Sequence, residues 1–136
     1  MKALIVEDDP ISRRILQDFL SPFADCETVE NGEQAIEVFK NALDSNARFQ
    51  LVCLDIMMPK MDGHQVLKLL RNYEQKHGVS LEDCVKIVMT TALEDYRNVI
   101  GAFGEGCSAY IVKPINKKKL LHELQKLGFA QDTGNS

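Results

Sequence analysis

The hydrophobic period of this chain changes repeatedly along its length. Ala3-Leu4-Ile5-Val6, Leu51-Val52-Cys53-Leu54, Ile87-Val88-Met89 and Tyr110-Ile111-Val112 are short, unbroken and partly β-branched apolar runs. Such runs suit strands buried on both faces, as in a parallel sheet. Cys26-Glu27-Thr28-Val29 is weaker and predicts a fifth strand near an edge. The segments between them carry helical spacing. The first helix is expected from Pro10 behind an Asp9 N-cap, with Ile11, Ile15, Leu16, Phe19 and Leu20 as its apolar stripe and Arg13, Arg14, Gln17 and Asp18 facing water. Asn31 with Gln34, and Asp62 with Gln65, have the spacing of capping boxes. They open a second helix packing Ala35, Ile36, Phe39 and Leu43, and a third packing Val66, Leu67, Leu70 and Tyr73. A fourth helix is expected over Tyr96, Val99, Ile100 and Phe103. A fifth follows Asn116, packs Leu120, Leu121, Leu124 and Leu127, and stops at Gly128. Five alternations with short links predict a doubly wound α/β domain with right-handed crossovers and helices on both faces. The stretch from Glu74 to Asp83 exceeds a minimal link, so the third helix extends there or a loop bulges.

The 136 residues suffice for one domain. We assign residues 1–128 to it and 129–136 to a short polar tail. No apolar run reaches the ~18–20 residues of a membrane span, and acid follows the first few apolar residues too soon for a signal peptide. A net charge of −4 and a pI near 5.4 argue against a surface that grips nucleic acid directly. The four cysteines, Cys26, Cys53, Cys84 and Cys107, are scattered without metal spacing, and a reducing, cytoplasmic setting is expected.

In such sheets, ligands gather outside the carboxyl ends of the strands. Reading those ends gives Glu7-Asp8-Asp9, then Asp55, then Thr90-Thr91-Ala92, then Lys113-Pro114. An acidic pair after a strand is by itself most often a helix cap, which is the role assigned to Asp9. Taken together, carboxylates, a hydroxyl and a lysine at successive strand ends point to one pocket. Oxygen ligands without His or Cys suit Mg²⁺, and a carboxylate beside Mg²⁺, a hydroxyl and an ammonium can accept a phosphoryl group.

The runs Leu4 to Asp9, Leu54-Asp55-Ile56-Met57-Met58-Pro59-Lys60-Met61-Asp62-Gly63, Met89 to Ala92 and Tyr110 to Pro114 together resemble a CheY-like response-regulator receiver domain. The likeness covers about residues 2–127. It implies the flavodoxin-like strand order 2-1-3-4-5. It also implies Asp55 as phosphoacceptor, Asp8 as a direct and Glu7 as a water-mediated Mg²⁺ ligand, and the Met57 backbone carbonyl as a further ligand. Thr91 matches the switch hydroxyl, Lys113 the lysine that pairs with the phosphoryl group, and Tyr110 the aromatic that reports the switch. Glu7 departs mildly from the Asp usual at the first acidic position. A cis Lys113-Pro114 bond is implied as well.

The resemblance implies a stand-alone switch in a two-component phosphorelay rather than an enzyme acting on other substrates. Such a switch is expected to catalyse only its own phosphorylation and dephosphorylation. Phosphate is expected from a sensor histidine kinase, a phosphotransfer protein or a small phosphodonor. The face made by the fourth helix, fifth strand and fifth helix is then expected to bind an unidentified downstream protein. A monomer or a weak phosphorylation-dependent dimer is expected. The alternatives are a Mg²⁺-dependent phosphohydrolase, for which Met57 stands where an acid is needed, and a nucleotide carrier, for which no glycine-rich loop follows the first strand. Lys117, Lys118 and Lys119 form either a solvated face or a patch for an acidic partner. Met57 and Leu93, apolar beside the site, predict slow hydrolysis of the phospho-aspartate.

Overall fold

The computed structural model describes residues 1–92 and 106–129. Within them run β1 (Lys2–Val6), α1 (Pro10–Leu20), β2 (Asp25–Val29), α2 (Gly32–Asp44), β3 (Leu51–Asp55), α3 (Gly63–Lys76), β4 (Lys86–Thr91), β5 (Ala109–Val112) and α4 (Lys117–Lys126). The helix expected over Tyr96 to Phe103, Leu93 and residues 130–136 lie outside the described residues; α4 is the helix expected as the fifth.

The strands form one sheet in the order β2-β1-β3-β4-β5, and every pairing is parallel. As the apolar runs require, β3 is buried at every position, whereas β2, at the edge, buries only Val29 fully. Alternation along the strands builds two cores. Leu4, Val6, Val52, Leu54, Ile87 and Met89 pack with α2 and α3 on one face. Ala3, Ile5, Leu51, Cys53, Val88 and Ile111 pack with α1 and α4 on the other.

The helix starts follow their capping residues. Asp9 accepts from the Ser12 N–H, Asn31 from Gln34, and Asn116 from Lys119. Asp62 and Gln65 form a reciprocal capping box, while Gln34 reaches past the N-cap to the Glu30 N–H. Gly128 (φ 97°) terminates α4 in the left-handed region, and Phe129 beyond it packs against the second core.

The stripe expected on α1 is wider than the one the fold uses. Leu16 and Leu20 are fully buried, but Ile11 is 70% and Ile15 37% exposed. Arg13, expected in water, is half-buried and donates to the Glu7 carbonyl (2.9 Å). Ile11 and Ile15 stand on a flank of the apolar stripe that the sheet does not cover.

The long link after α3 combines the two expected forms. The helix runs on to Lys76, and a loop follows Gly78 (φ 70°). Buried Glu74 accepts from the Val85 N–H (2.6 Å) and pairs with Arg71 (2.7 Å), whose guanidinium also donates to the carbonyls of Val85 and Gly106. This network ties α3 to the starts of β4 and β5.

A second tie is His77, whose Nε2 lies 2.8 Å from Asp44 Oδ1 at the end of α2. The hydrogen bond to Asp44, then that to the Tyr73 carbonyl, raises the His77 pKa. The contact therefore contributes fully below the unfolded value of about 6.5 and is lost as pH rises through the higher folded-state value. Asp44→Asn is expected to destabilise the domain at about pH 5.5 and to have little effect at about pH 8.5. Urea titrations at the two pH values check this, and equal losses would contradict it.

Candidate functional site

Every parallel strand delivers its last residue to the same edge of the sheet, so residues far apart in sequence meet there. Glu7 follows β1, Asp55 ends β3, Thr91 ends β4, and Lys113 follows β5. Oxygen atoms of Glu7, Asp8 and Asp55 lie within 4.8 Å of one another. Glu7 and Asp55 are buried while Asp8 is exposed at the rim. The Lys113 ammonium lies 2.8 Å from Glu7 Oε1 and 3.4 Å from Asp55 Oδ1. The Lys113-Pro114 bond is cis.

Three carboxylates around one ammonium leave negative charge uncompensated. Burial first, then the hydrogen bond and charge of Glu7, raise the Asp55 pKa, with Lys113 pulling the other way. Burial alone would lower the Lys113 pKa, but Glu7 and Asp55 more than offset it and the net shift is upward.

The loop after β3 wraps closely around Asp55. The Met57 N–H donates to Asp55 Oδ1 (3.3 Å), and Met57 itself is 55% exposed beside the pocket. Lys60 adopts a positive φ of 70°, and the Gly63 N–H closes the loop on the Ile56 carbonyl (2.8 Å). Thr91 is buried, and its hydroxyl donates to the Ala92 carbonyl (3.1 Å), not to Asp55. Tyr110, half-buried, packs against the core shared with α2 and α3.

The expected residues Glu7, Asp8, Asp55 and Lys113 are thus together, with Met57 and Thr91 alongside. Sequence reasoning gave no role to Arg13, which braces the Glu7 backbone, or to Gly63. Gly63 had a signal, since a glycine directly after an N-cap aspartate in a strand-to-helix loop marks a close approach. Arg13 had none: its partner is a main-chain carbonyl.

An all-parallel sheet of this order, with an acidic pocket and a lysine at its carboxyl edge, defines a flavodoxin-like domain. Residues 3–125 match the response regulator receiver domain, and the chain belongs to that family. It is 38% identical over 120 residues to a probable transcriptional regulator, ycf27, of Porphyridium aerugineum, covering 88% of this chain and 44% of that one. The chain thus spans less than half the length of that relative. Among solved structures it resembles the chemotaxis protein CheY4 of Vibrio cholerae (27% identity, TM-score 0.74, covering 92% of this chain and 96% of that one). It also resembles a complex of the Saccharomyces cerevisiae histidine phosphotransfer protein Ypd1 with the receiver domain of Ssk1 (26% identity, TM-score 0.79, covering 94% and 88%). Among the described residues, no helix is long and apolar enough to cross a membrane.

Proposed function

We propose that this chain is a phosphorylation-controlled switch in which Asp55 accepts a phosphoryl group in a Mg²⁺-dependent reaction. The observation that carries the reading is the convergence of three carboxylates within 4.8 Å, with an ammonium 3.4 Å from Asp55. The donor set consists of hard oxygens, two of its carboxylates are buried, and one ammonium cannot balance their charge, so the residues fit a Mg²⁺ ion. Glu7, Asp8, Asp55 and the Met57 carbonyl would hold it, and it would neutralise charge on the transferring phosphoryl group.

The rest of the chemistry belongs to the chain. An Asp55 carboxylate oxygen forms the new O–P bond as the bond to the donor breaks, releasing imidazole from a phosphohistidine or acetate from acetyl phosphate. The Lys113 ammonium moves from the carboxylates to a phosphoryl oxygen. Thr91 exchanges its bond to the Ala92 carbonyl for a second phosphoryl oxygen, and Tyr110 moves with it. The consequence is a changed surface around β5 and α4 that recruits a partner. A sensor histidine kinase or a phosphotransfer protein is the donor; the likeness to the Ssk1 receiver, solved with Ypd1, supports the second. Incubation with acetyl phosphate and Mg²⁺ is expected to add one phosphoryl group by intact mass. No incorporation, or equal incorporation in excess EDTA, would refute the reading.

Hydrolysis needs a water held in line with the phosphorus, and the Met57 thioether cannot orient one well. Met57→Asn adds a hydrogen-bonding group of about 1 kcal/mol, so phospho-Asp55 is expected to decay about fivefold faster. A mass-spectrometric decay course in Mg²⁺ buffer measures it; unchanged decay would mean that Met57 only packs.

A further inference from the structure

One polar atom beside the pocket has no role in that mechanism. Thr90 is 1% exposed, and its hydroxyl has no hydrogen-bond partner in the described structure. Buried hydroxyls are normally partnered, and leaving one unpaired is costly. Valine would fill the same space without that cost, so the hydroxyl calls for a physical account.

Register places it. The Thr90 Cα pairs with Asp55 on one side and Ile111 on the other. Val88 belongs to the core under α1 and α4, and strand alternation puts Thr90 on that same face, together with Leu51, Cys53 and Asp55 of β3. Lys113 follows β5, yet its ammonium contacts Asp55 on β3 and Glu7 after β1. With the strands ordered β1-β3-β4-β5, the lysine side chain has to cross β4. The β4 residues on that face at the crossing are Thr90 and, past the strand end, Ala92. Only Thr90 carries a polar side-chain atom there.

An ammonium has three hydrogens, and the Lys113 ammonium pairs by charge with only two oxygens, Glu7 Oε1 at 2.8 Å and Asp55 Oδ1 at 3.4 Å, so it can still donate to a further acceptor. A cation on the carboxylates, or a phosphoryl group on Asp55, competes for the oxygens that hold Lys113, and the ammonium must shift back along its own path. We propose that Thr90 is a positioning residue for Lys113, its buried hydroxyl accepting a hydrogen bond from the displaced ammonium and holding it over Asp55. This rests on the reading of Asp55 as phosphoacceptor. Thr91 and Thr90 then divide the work of adjacent hydroxyls on opposite faces of β4: the first binds the phosphoryl group, the second the lysine that binds it.

The test uses the full chain, with Thr90→Val and Thr90→Ser. The ¹⁵N resonance of the Lys113 ammonium is followed on addition of Mg²⁺ alone, and then of Mg²⁺ with beryllofluoride. The parent and the Ser variant are expected to give a slowly exchanging, hydrogen-bonded ammonium signal in the loaded state, and the Val variant to lose it. The acetyl phosphate labelling rate is expected to fall about tenfold in the Val variant and to recover in the Ser variant, with thermal stability of the Val variant equal to or above the parent. A Val variant with the parent's Lys113 signal and labelling rate would overturn the proposal, leaving Thr90 a packing residue. If the parent itself takes no phosphate, the receiver reading of Asp55 fails separately. The Mg²⁺ response of Lys113 then decides the positioning role by itself: identical responses in parent and Val variant overturn it.

Discussion

Asp55→Asn is expected to abolish phosphoryl incorporation while making the domain more stable in Mg²⁺-free buffer. Asp55 is 3% exposed and stands against buried Glu7, with Asp8 at the rim and Lys113 as the ammonium within reach. The amide keeps the shape and removes the cost of burying a carboxyl group beside Glu7, the same burial and charge that raise the Asp55 pKa. Lys113 keeps its closer partner, Glu7, at 2.8 Å. The gain is on the order of 1–2 kcal/mol, or about 3–8 °C in Tm for a domain of this size. Mg²⁺ should raise the Tm of the parent more than that of the variant, because only the parent offers all three carboxylates; saturation to 100 times Kd is worth about 2.7 kcal/mol. Calorimetry with and without Mg²⁺, alongside intact-mass labelling, measures both parts. Labelling of the variant at the parent's level would show that another residue is the acceptor.

Gly63→Ala is expected to cost about 2–3 kcal/mol, seen as a Tm lower by about 6–15 °C, and to slow labelling of Asp55 as well. A Cβ at Gly63 would stand 2.6 Å from the Asp55 carbonyl oxygen and 2.8 Å from the Ile56 Cα. Both are main-chain atoms of the strand end that presents the reactive carboxylate, so relief requires moving Asp55 itself. Gly32→Ala is the informative comparison. There the contacts are Val66 Cγ2 at 2.8 Å and Met61 Sδ at 3.0 Å. Side chains yield more readily than backbone, and the loss should be clearly smaller. Urea denaturation of both variants decides it; equal costs would mean that the β3–α3 loop is looser than this packing implies.

Much of the architecture was legible in short stretches. Continuous apolar runs identified β1, β3, β4 and β5, and the polar alternation of Cys26 to Val29 marked β2 as an edge. Asp9, Asn31, Asp62 and Asn116 marked the helix starts because an N-cap is a contact between residues three positions apart. The buried stripe on α1 is narrower than its periodicity implies: periodicity tells which residues share a face, while burial depends on how much of that face the sheet covers. The burial of Glu74 was equally hidden. Its partner, the Val85 N–H, lies 11 residues away across a loop whose path no local pattern specifies.

The same division holds at the site. The apolar runs already show which residues lie at the carboxyl ends of the strands, and hence that Glu7, Asp8, Asp55, Thr91 and Lys113 neighbour one another. How they neighbour depends on packing between distant elements. Lys113 sits closer to Glu7 than to Asp55, and Thr91 turns to the Ala92 carbonyl. Thr90 lies opposite Asp55 with its hydroxyl unpaired. The difference is one of range. Caps and periods are set by atoms a few residues apart, and any chain with this pattern carries them. The pairing of β5 with β4 joins residues 21 positions apart and that of β4 with β3 residues 35 apart, and the path of one lysine across one threonine exists only once both registers are made.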